Sequence, residues 1–272
     1  MLHNEGDRLA KVVVCPPGEA YFSAADLKAQ NMNAVPDRAR TREQFERLIS
    51  VMENAGCNVI RLEELEGHPN SVFARDASLC TPMGYVRLRM GLASRRGEEK
   101  WLWEKLESLG EPCASCIEPP GTVEGGDVIL AGDVAFVGRS GRTNDSGVDQ
   151  IRSILEEMGY EVRVHDVPGR SLHLGGVMSV IGPDTVVCSE SAFRDDFFKG
   201  FKVIEVPIEE PLSGNVISLG RNNLVANSAE SRLGIALLRT AGFLVHALDL
   251  SEFRKGGGGP SCLILPVERI QD

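Results

Sequence analysis

The 272-residue sequence predicts a pseudo-symmetric α/β propeller of five blades, folded as a single domain over residues 1–272. Two observations carry this expectation. Helix-ending glycines recur at positions 56, 110, 159, 200 and 242. Each is followed by a short β-branched segment and then by extended segments paired across turn residues. One unit of strand, hairpin and helix cannot bury its apolar face alone. Five such units should therefore close around an axis, with strands inside and helices outside. An open mixed α/β sheet is the alternative architecture.

Helical periodicity opens over residues 41–56, where Gln44, Phe45, Leu48, Ile49 and Met52 recur on one face. It returns over 97–110, over 147–159 through Ile151, Ile154, Leu155 and Met158, and over 229–242 through Leu233, Ala236 and Leu237. A shorter segment, 191–200, ends on glycine in the same way. Each closing glycine suits the left-handed position that terminates a helix. Residues 58–62, 112–118, 161–164, 202–206 and 244–248 then read as strands. Hairpins are expected between 127–130 and 134–137, between 177–181 and 185–188, and between 216–219 and 223–226. Each turns on glycine with Asp, Asn or Pro beside it. Between Pro17 and Thr41 no periodicity is visible, and a loop that long reads as a functional one closing over a site.

Composition removes several function classes. Lys and Arg number 29 against 39 Asp and Glu, a net charge of −10, so no basic footprint is offered to a nucleic acid. No apolar run approaches the ~18 residues of a membrane span, and the first residues lack the pattern of a signal peptide. Glycine, at 29 residues, exceeds its average usage of roughly 7% and predicts many tight turns. Seven scattered cysteines point to a reduced, cytoplasmic protein. Cys113 and Cys116 have the spacing of a redox or half-zinc motif, but no second pair completes it. Core packing is therefore the reading for them and for the four other cysteines before Cys262. No metal and no cofactor are expected. A homodimer is compatible with the sequence, which does not set the oligomeric state.

The repeat also aligns the reactive residues. Asn70, Glu124 and His173 each stand 14 residues after their own repeat's glycine, and Asp76 and Cys262 each stand 20 after theirs. Equal offsets in pseudo-symmetric repeats mean equivalent places in space, so an amide, two acids, an imidazole and a thiol should converge at one end of the axis. Cys262 follows Gly256-Gly257-Gly258-Gly259-Pro260-Ser261, a loop that allows close approach of backbone or substrate. One loop cysteine with a distant histidine and acid is the pattern of a catalytic thiol. His165 and His246 lie inside strand patterns and read as structural.

Such a set suits a planar cation. Carboxylates hold a guanidinium through paired charge-assisted hydrogen bonds, and a thiolate attacks its electron-poor central carbon. Histidine protonates the departing amine and then takes a proton from water, with Glu124 orienting it. Arg95 and Arg142, in polar glycine-flanked loops, are expected to fork onto the carboxylate of an amino acid.

The motifs Asn70-Ser71-Val72-Phe73-Ala74-Arg75-Asp76, Ser94-Arg95-Arg96-Gly97-Glu98, Thr122-Val123-Glu124-Gly125-Gly126-Asp127, Gly141-Arg142-Thr143-Asn144, Leu172-His173-Leu174 and Gly258-Gly259-Pro260-Ser261-Cys262 together resemble the guanidino-group-modifying enzymes. The chain length best matches the dimethylarginine dimethylaminohydrolases among them. The resemblance implies a pentein-type five-bladed propeller, in line with the repeat count. It also implies Cys262 as nucleophile, His173 as general acid and base, and Glu124 as the partner of His173 or of the substrate. Asp76 would bind the guanidinium, Arg95 and Arg142 the α-carboxylate, and Asn70, Phe73 and Ser261 would complete the pocket for a small arginine-type substrate. Asn70 with Phe73-Ala74-Arg75-Asp76 is similar to the arginine deiminases and dihydrolases, whereas Gly175 stands where deiminases carry Asp. Methylated arginine is placed ahead of free arginine, an amidinotransferase follows, and a non-catalytic binding propeller comes last.

Overall fold

Each repeat folds into its own three-stranded sheet. The computed structural model describes residues 2–271 apart from Arg170, 190–192, Asp195 and Ile208. The N-terminal strand β1 (Arg8–Val14) is the middle of the first sheet. It runs parallel to β2 (Asn58–Arg61) and antiparallel to the last strand of the chain, so that Arg8 faces Ile270 and Val13 faces Leu265. The two ends of the sequence thus close the ring. The alternative of one open sheet is not what forms: the described residues make five sheets.

The other four sheets repeat one order. β3 (Ser78–Thr81), β4 (Gly84–Arg87) and β5 (Cys113–Cys116) form the second, and β6 (Val128–Ala131), β7 (Val134–Arg139) and β8 (Glu161–Asp166) the third. The fourth has β9 (Met178–Gly182), β10 (Thr185–Ser189) and β11 (Lys202–Val206), and the fifth β12 (Ile217–Gly220), β13 (Asn223–Asn227) and β14 (Leu244–Leu248). In each, the first two strands are an antiparallel hairpin and the third is parallel to the second. A parallel pair needs a crossover. Helices α2 (Arg38–Asn54), α3 (Glu98–Ser108), α4 (Asp145–Glu157) and α5 (Arg232–Thr240) supply it in four repeats. Burial follows the same order: β3, β6 and β12 are buried at every residue, while β2 and β5 expose both ends. The last strand, β15 (Leu265–Ile270), takes the buried place in the first sheet.

The repeat glycines have φ of +84°, +80°, +96°, +91° and +96° at 56, 110, 159, 200 and 242, the left-handed region that side chains disfavour. Helix starts lie earlier than periodicity suggests where a cap extends them. Asp37 accepts the Arg40 amide (2.8 Å) and Asn144 the Gly147 amide (2.8 Å), so α2 and α4 begin before residues 41 and 147. In α2, Phe45, Leu48, Ile49 and Met52 are fully buried, each worth about 1.5–3 kcal/mol.

Three expectations are corrected. In the 191–200 segment, Ser191, Ala192 and Asp195 lie outside the described residues, and 196–200 forms turns, not a helix. The stretch after Pro17 is not featureless: it contains α1 (Glu19–Phe22), and Tyr21, Phe22 and Met32 are buried in the same core as Phe45 and Phe253, an anchoring too irregular for a periodic signal. Cys15, Cys57, Cys80 and Cys188 are buried as expected, but Cys113 and Cys116 are exposed, because β5 is the outer edge of its sheet. Among the described residues no helix is long and apolar enough to cross a membrane.

Candidate active site

The equal offsets have a structural cause. Immediately before or leading into the buried first strand of each sheet lies a 3-10 turn: Ala74–Asp76, Gly125–Asp127, Leu174–Gly176, Pro211–Gly214 and Pro260–Leu263. Asp76 ends the first, Glu124 and His173 cap the second and third, Asn215 follows the fourth, and Cys262 lies within the fifth. Neighbouring turns touch, the fourth and fifth through Asn215 and Ser261, so residues from five repeats gather at one end of the ring. Asn70 and Phe73 come from the preceding turn, Pro69–Val72, and its cap.

At the centre, His173 Nε2 is 2.7 Å from Glu124 Oε2, and His173 Nδ1 is 3.8 Å from Asp76 Oδ1. All three side chains are buried. Burial alone would disfavour the imidazolium, but Asp76, Glu124 and Asp127 outweigh it and push the His173 pKa up to about 9. Glu124 responds in the opposite sense: burial works against its charge, yet His173, Arg95 and Arg142 hold its carboxyl well below the usual range. Its Oε1 also accepts the amides of Gly91 and Leu92, both at 3.1 Å.

Arg142 lies 3.3 Å from Glu124 Oε2. Arg95 is more deeply committed. Its Nη1 donates to Asp76 Oδ2 (2.6 Å), its Nε and Nη2 to Glu98 Oε2 (2.9 and 2.7 Å), and Nη2 also to the carbonyls of Asn70 and Phe73. The expected fork onto a substrate carboxylate therefore meets a guanidinium already bonded through every nitrogen, and the arrangement makes Arg95 the strut that holds Asp76.

Two cavities meet at the thiol. The smaller, about 30 Å³, is lined by Asn70, Phe73, Asp76, Arg95, Arg142, His173 and Cys262, with Gln30 and Asn31 among the other lining residues. Asp76 Oδ1 and Asn70 Oδ1 are buried there without hydrogen-bond partners, two acceptors awaiting donors. The larger, about 250 Å³, shares Cys262 and His173 and extends past Gly175, Met178, Ser179 and Ser261. Ser261 lines the larger cavity alone. Close packing needs glycine at two places: a Cβ on Gly126 would stand 2.8 Å from both Asp76 Oδ1 and His173 Cγ, and one on Gly258 would overlap the Phe73 ring. Cys262 itself is half-buried. Burial and the neighbouring Asp76 push its thiol above the ordinary range, against the pull of the Gly259 backbone, Arg254 and Asn215.

Asp76, Glu124 and His173 offer ligand atoms within 4.8 Å of one another, a donor set that also suits a metal, where none was expected. Protein cations already hold one oxygen of each acid: Asp76 Oδ2 by Arg95, and Glu124 Oε2 by His173 and Arg142. Two guanidinium groups beside the carboxylates repel a divalent ion and complement paired protein donors instead.

Residues that escaped sequence reasoning are the supports. Asp127 accepts Ser140 Oγ (2.6 Å), Thr143 Oγ1 (2.7 Å) and the Leu174 amide (2.9 Å), tying the Arg142 loop to the His173 turn. Burial pushes its carboxyl up to about 6 against His173 and those donors. Arg75 lines the larger cavity and donates to Glu5 (2.6 Å) and to the Gly125 and Val128 carbonyls. Asn215 had a signal: the offset of 14 after Gly200 falls on Gly214, one residue short. His165 packs at a tilt on Phe193, ring centres 4.5 Å apart, and His246 lies in β14, both outside the site.

Comparison with known proteins agrees with this fold. The family model described as "N,N dimethylarginine dimethylhydrolase, eukaryotic" matches residues 22–269. The N(G),N(G)-dimethylarginine dimethylaminohydrolase of Pseudomonas aeruginosa is 33% identical over 234 residues, which is 85% of this chain and 89% of that one. The solved structure of a mutant of the Pseudomonas aeruginosa enzyme complexed with citrulline superposes with a TM-score of 0.82 at 28% identity, covering 95% of this chain and 99% of the other. The N-terminal domain of ArgZ, an arginine dihydrolase of cyanobacteria, shares the fold at 22% identity and a TM-score of 0.84, over 95% and 97% of the two chains. Its repeats, its ring of turns and these matches together make this chain a member of the N,N dimethylarginine dimethylhydrolase family.

Proposed function

We propose that the protein hydrolyses the guanidinium of an Nω-methylated arginine to citrulline and an amine, with Cys262 as nucleophile. The observation that carries this reading is Asp76 Oδ1, buried without a hydrogen-bond partner on the same small cavity as Cys262, His173 and Arg142. A guanidinium N–H donated to that oxygen satisfies it and brings the central carbon to the sulfur. Arg142, less committed than Arg95, takes the α-carboxylate, and Phe73 packs against the methylene chain.

With the cation bound, the Cys262 thiolate adds to the guanidinium carbon. His173, protonated at neutral pH, gives its proton to the departing nitrogen, the C–N bond breaks, and a thiouronium remains on sulfur. Neutral His173 then takes a proton from water, and the hydroxide adds to the same carbon. The C–S electron pair returns to sulfur, the ureido product sheds a proton, and imidazolium and thiolate are restored. Water enters once and one amine leaves.

Two features bear on the substrate. A Cβ at 175 would stand 3.0 Å from the Gly126 carbonyl oxygen, a tight contact that disfavours the second carboxylate of a deiminase there. The space beside Gly175 opens instead into the larger cavity, which supports room for methyl groups. Free arginine is the second reading, favoured by Asn70 Oδ1, a further acceptor for an unmethylated nitrogen or an ammonium. Incubation with arginine and with asymmetric dimethylarginine, followed by mass spectrometry, tests both. Citrulline with dimethylamine supports the first, citrulline or ornithine with ammonia the second, and no turnover of either defeats the assignment.

The segment before α2 acts as the lid. Its Gln30 carbonyl accepts Asn70 Nδ2 (2.8 Å), its Ala29 carbonyl accepts Ser94 Oγ (2.7 Å), and the Asn33 amide donates to Lys255. Deleting 23–35 should lower kcat by exposing the thiouronium to disordered solvent, and unchanged kinetics would refute the lid. A cytoplasmic location accords with seven free thiols.

A further inference from the structure

The side-chain amide of Asn215 joins the two catalytic turns. Its Oδ1 accepts the Ser261 amide (3.0 Å), and its Nδ2 donates to the Gly175 carbonyl (2.9 Å). One backbone donor and one backbone acceptor fix which end of the amide is which. The second Nδ2 hydrogen then faces Cys262 Sγ, 3.8 Å away. Asn215 is 3% exposed, and Gly259 is pressed against it, since a Cβ there would stand 2.8 Å from Asn215 Cγ. The described residues offer this sulfur no second side-chain hydrogen bond.

We propose that Asn215 is a catalytic residue of this enzyme: it donates to the Cys262 sulfur whenever that sulfur is anionic, and holds it in register with the His173 turn. The proposal rests on the reading of Cys262 as nucleophile. The sulfur is a thiolate twice in the cycle, before it bonds to carbon and when it is expelled by the incoming oxygen. In the thiouronium between, its charge is gone. A hydrogen bond to the anion therefore favours the starting state for attack and speeds release. The charged groups around the sulfur are Asp76, which opposes the anion, and Arg254 and Arg75, with His173 beyond. None of these contacts Asn215 in the hydrogen bonds above, so its replacement leaves them in place.

The test uses the full chain with Cys113→Ser and Cys116→Ser, which removes the other exposed thiols. Alkylation of Cys262 by iodoacetamide is followed against pH by peptide mass spectrometry, alone and with Asn215→Ala or Asn215→Asp. Asn215→Asp retains the acceptor for Ser261 but not the donor. Loss of the donor should move the alkylation midpoint up by one pH unit or more in both variants, and lower kcat at least tenfold with KM changed less than threefold. An unmoved midpoint in both, with cooperative melting preserved, overturns the proposal. Where Asn215→Ala fails to fold, Asn215→Gln, which displaces the amide by one methylene, carries the same expectation. The midpoint is read without substrate, so it is independent of which guanidino compound is hydrolysed. Turnover surviving in Cys262→Ser would instead defeat the underlying reading.

Discussion

His173 Nε2 lies 2.7 Å from Glu124 Oε2, and both side chains are shut away from solvent. The two residues belong to different repeats, 49 positions apart. With Asp76 on the other side of the ring, His173 is flanked by two carboxylates and its pKa is pushed up to about 9. At neutral pH it is therefore protonated, as the general acid proposed above has to be.

Glu124→Gln removes one of those charges while keeping the shape. The His173 titration, followed by nitrogen-detected NMR, should fall below about 9 by more than one unit. Activity should drop by about 10²-fold, in the range of a misplaced general acid. A titration at the original pH would mean that Asp76 alone controls the ring.

Stability against pH follows from the same pair. The folded-state pKa of His173 lies above its usual 6.5, so its contribution, about 3 kcal/mol, is complete below pH 6.5 and is lost as pH rises through about 9. Glu124 is held below its usual 4.5, so its contribution is present above that value and fades as pH falls. Both shifts describe one contact and count once. Melting temperature should peak between about pH 5 and 6.5, and the alkaline decline should be shallower in Glu124→Gln.

Cys262→Ser should abolish product formation, by at least 10³-fold, because an alcohol ionises far less readily than a thiol and is a far weaker nucleophile than a thiolate. The side chain is half-buried and Ser is of similar size, so urea midpoints should move little. Retained turnover would remove the covalent route.

Gly126→Ala should act on chemistry more than on folding. The added Cβ lies 2.8 Å from Asp76 Oδ1 and from the His173 ring, so one or both must shift by several tenths of an ångström. A loss of 10²-fold in kcat is expected, since misplacement of about 1 Å costs that much. Near-normal kcat would show that the two side chains yield without consequence.

Asp127→Ala leaves two hydroxyls and the Leu174 amide without their buried acceptor. Orphaned buried donors cost about 1–3 kcal/mol each before relaxation, so urea denaturation should report a loss of about 3 kcal/mol or more. A change under 1 kcal/mol would mean that water replaces the carboxylate.

Much of this was legible along the chain because the signals are local. A left-handed glycine closing a helix, a β-branched strand after it and a glycine turn within a hairpin are each written in a few residues. Their recurrence placed Glu124 with His173 at one offset and Asp76 with Cys262 at another, all at the 3-10 turns before the inner strands, whereas Asn70, at the first offset, comes from an earlier turn. What lay beyond it depends on contacts between distant segments. The commitment of Arg95 to Asp76 and Glu98, the outward edge that exposes Cys113 and Cys116, the pairing of β1 with β15, and the amide of Asn215 between Gly175 and Ser261 have no local mark. Local backbone preference sets where an element begins and ends, whereas burial and the hydrogen-bond partners of a buried side chain exist only once the ring has closed.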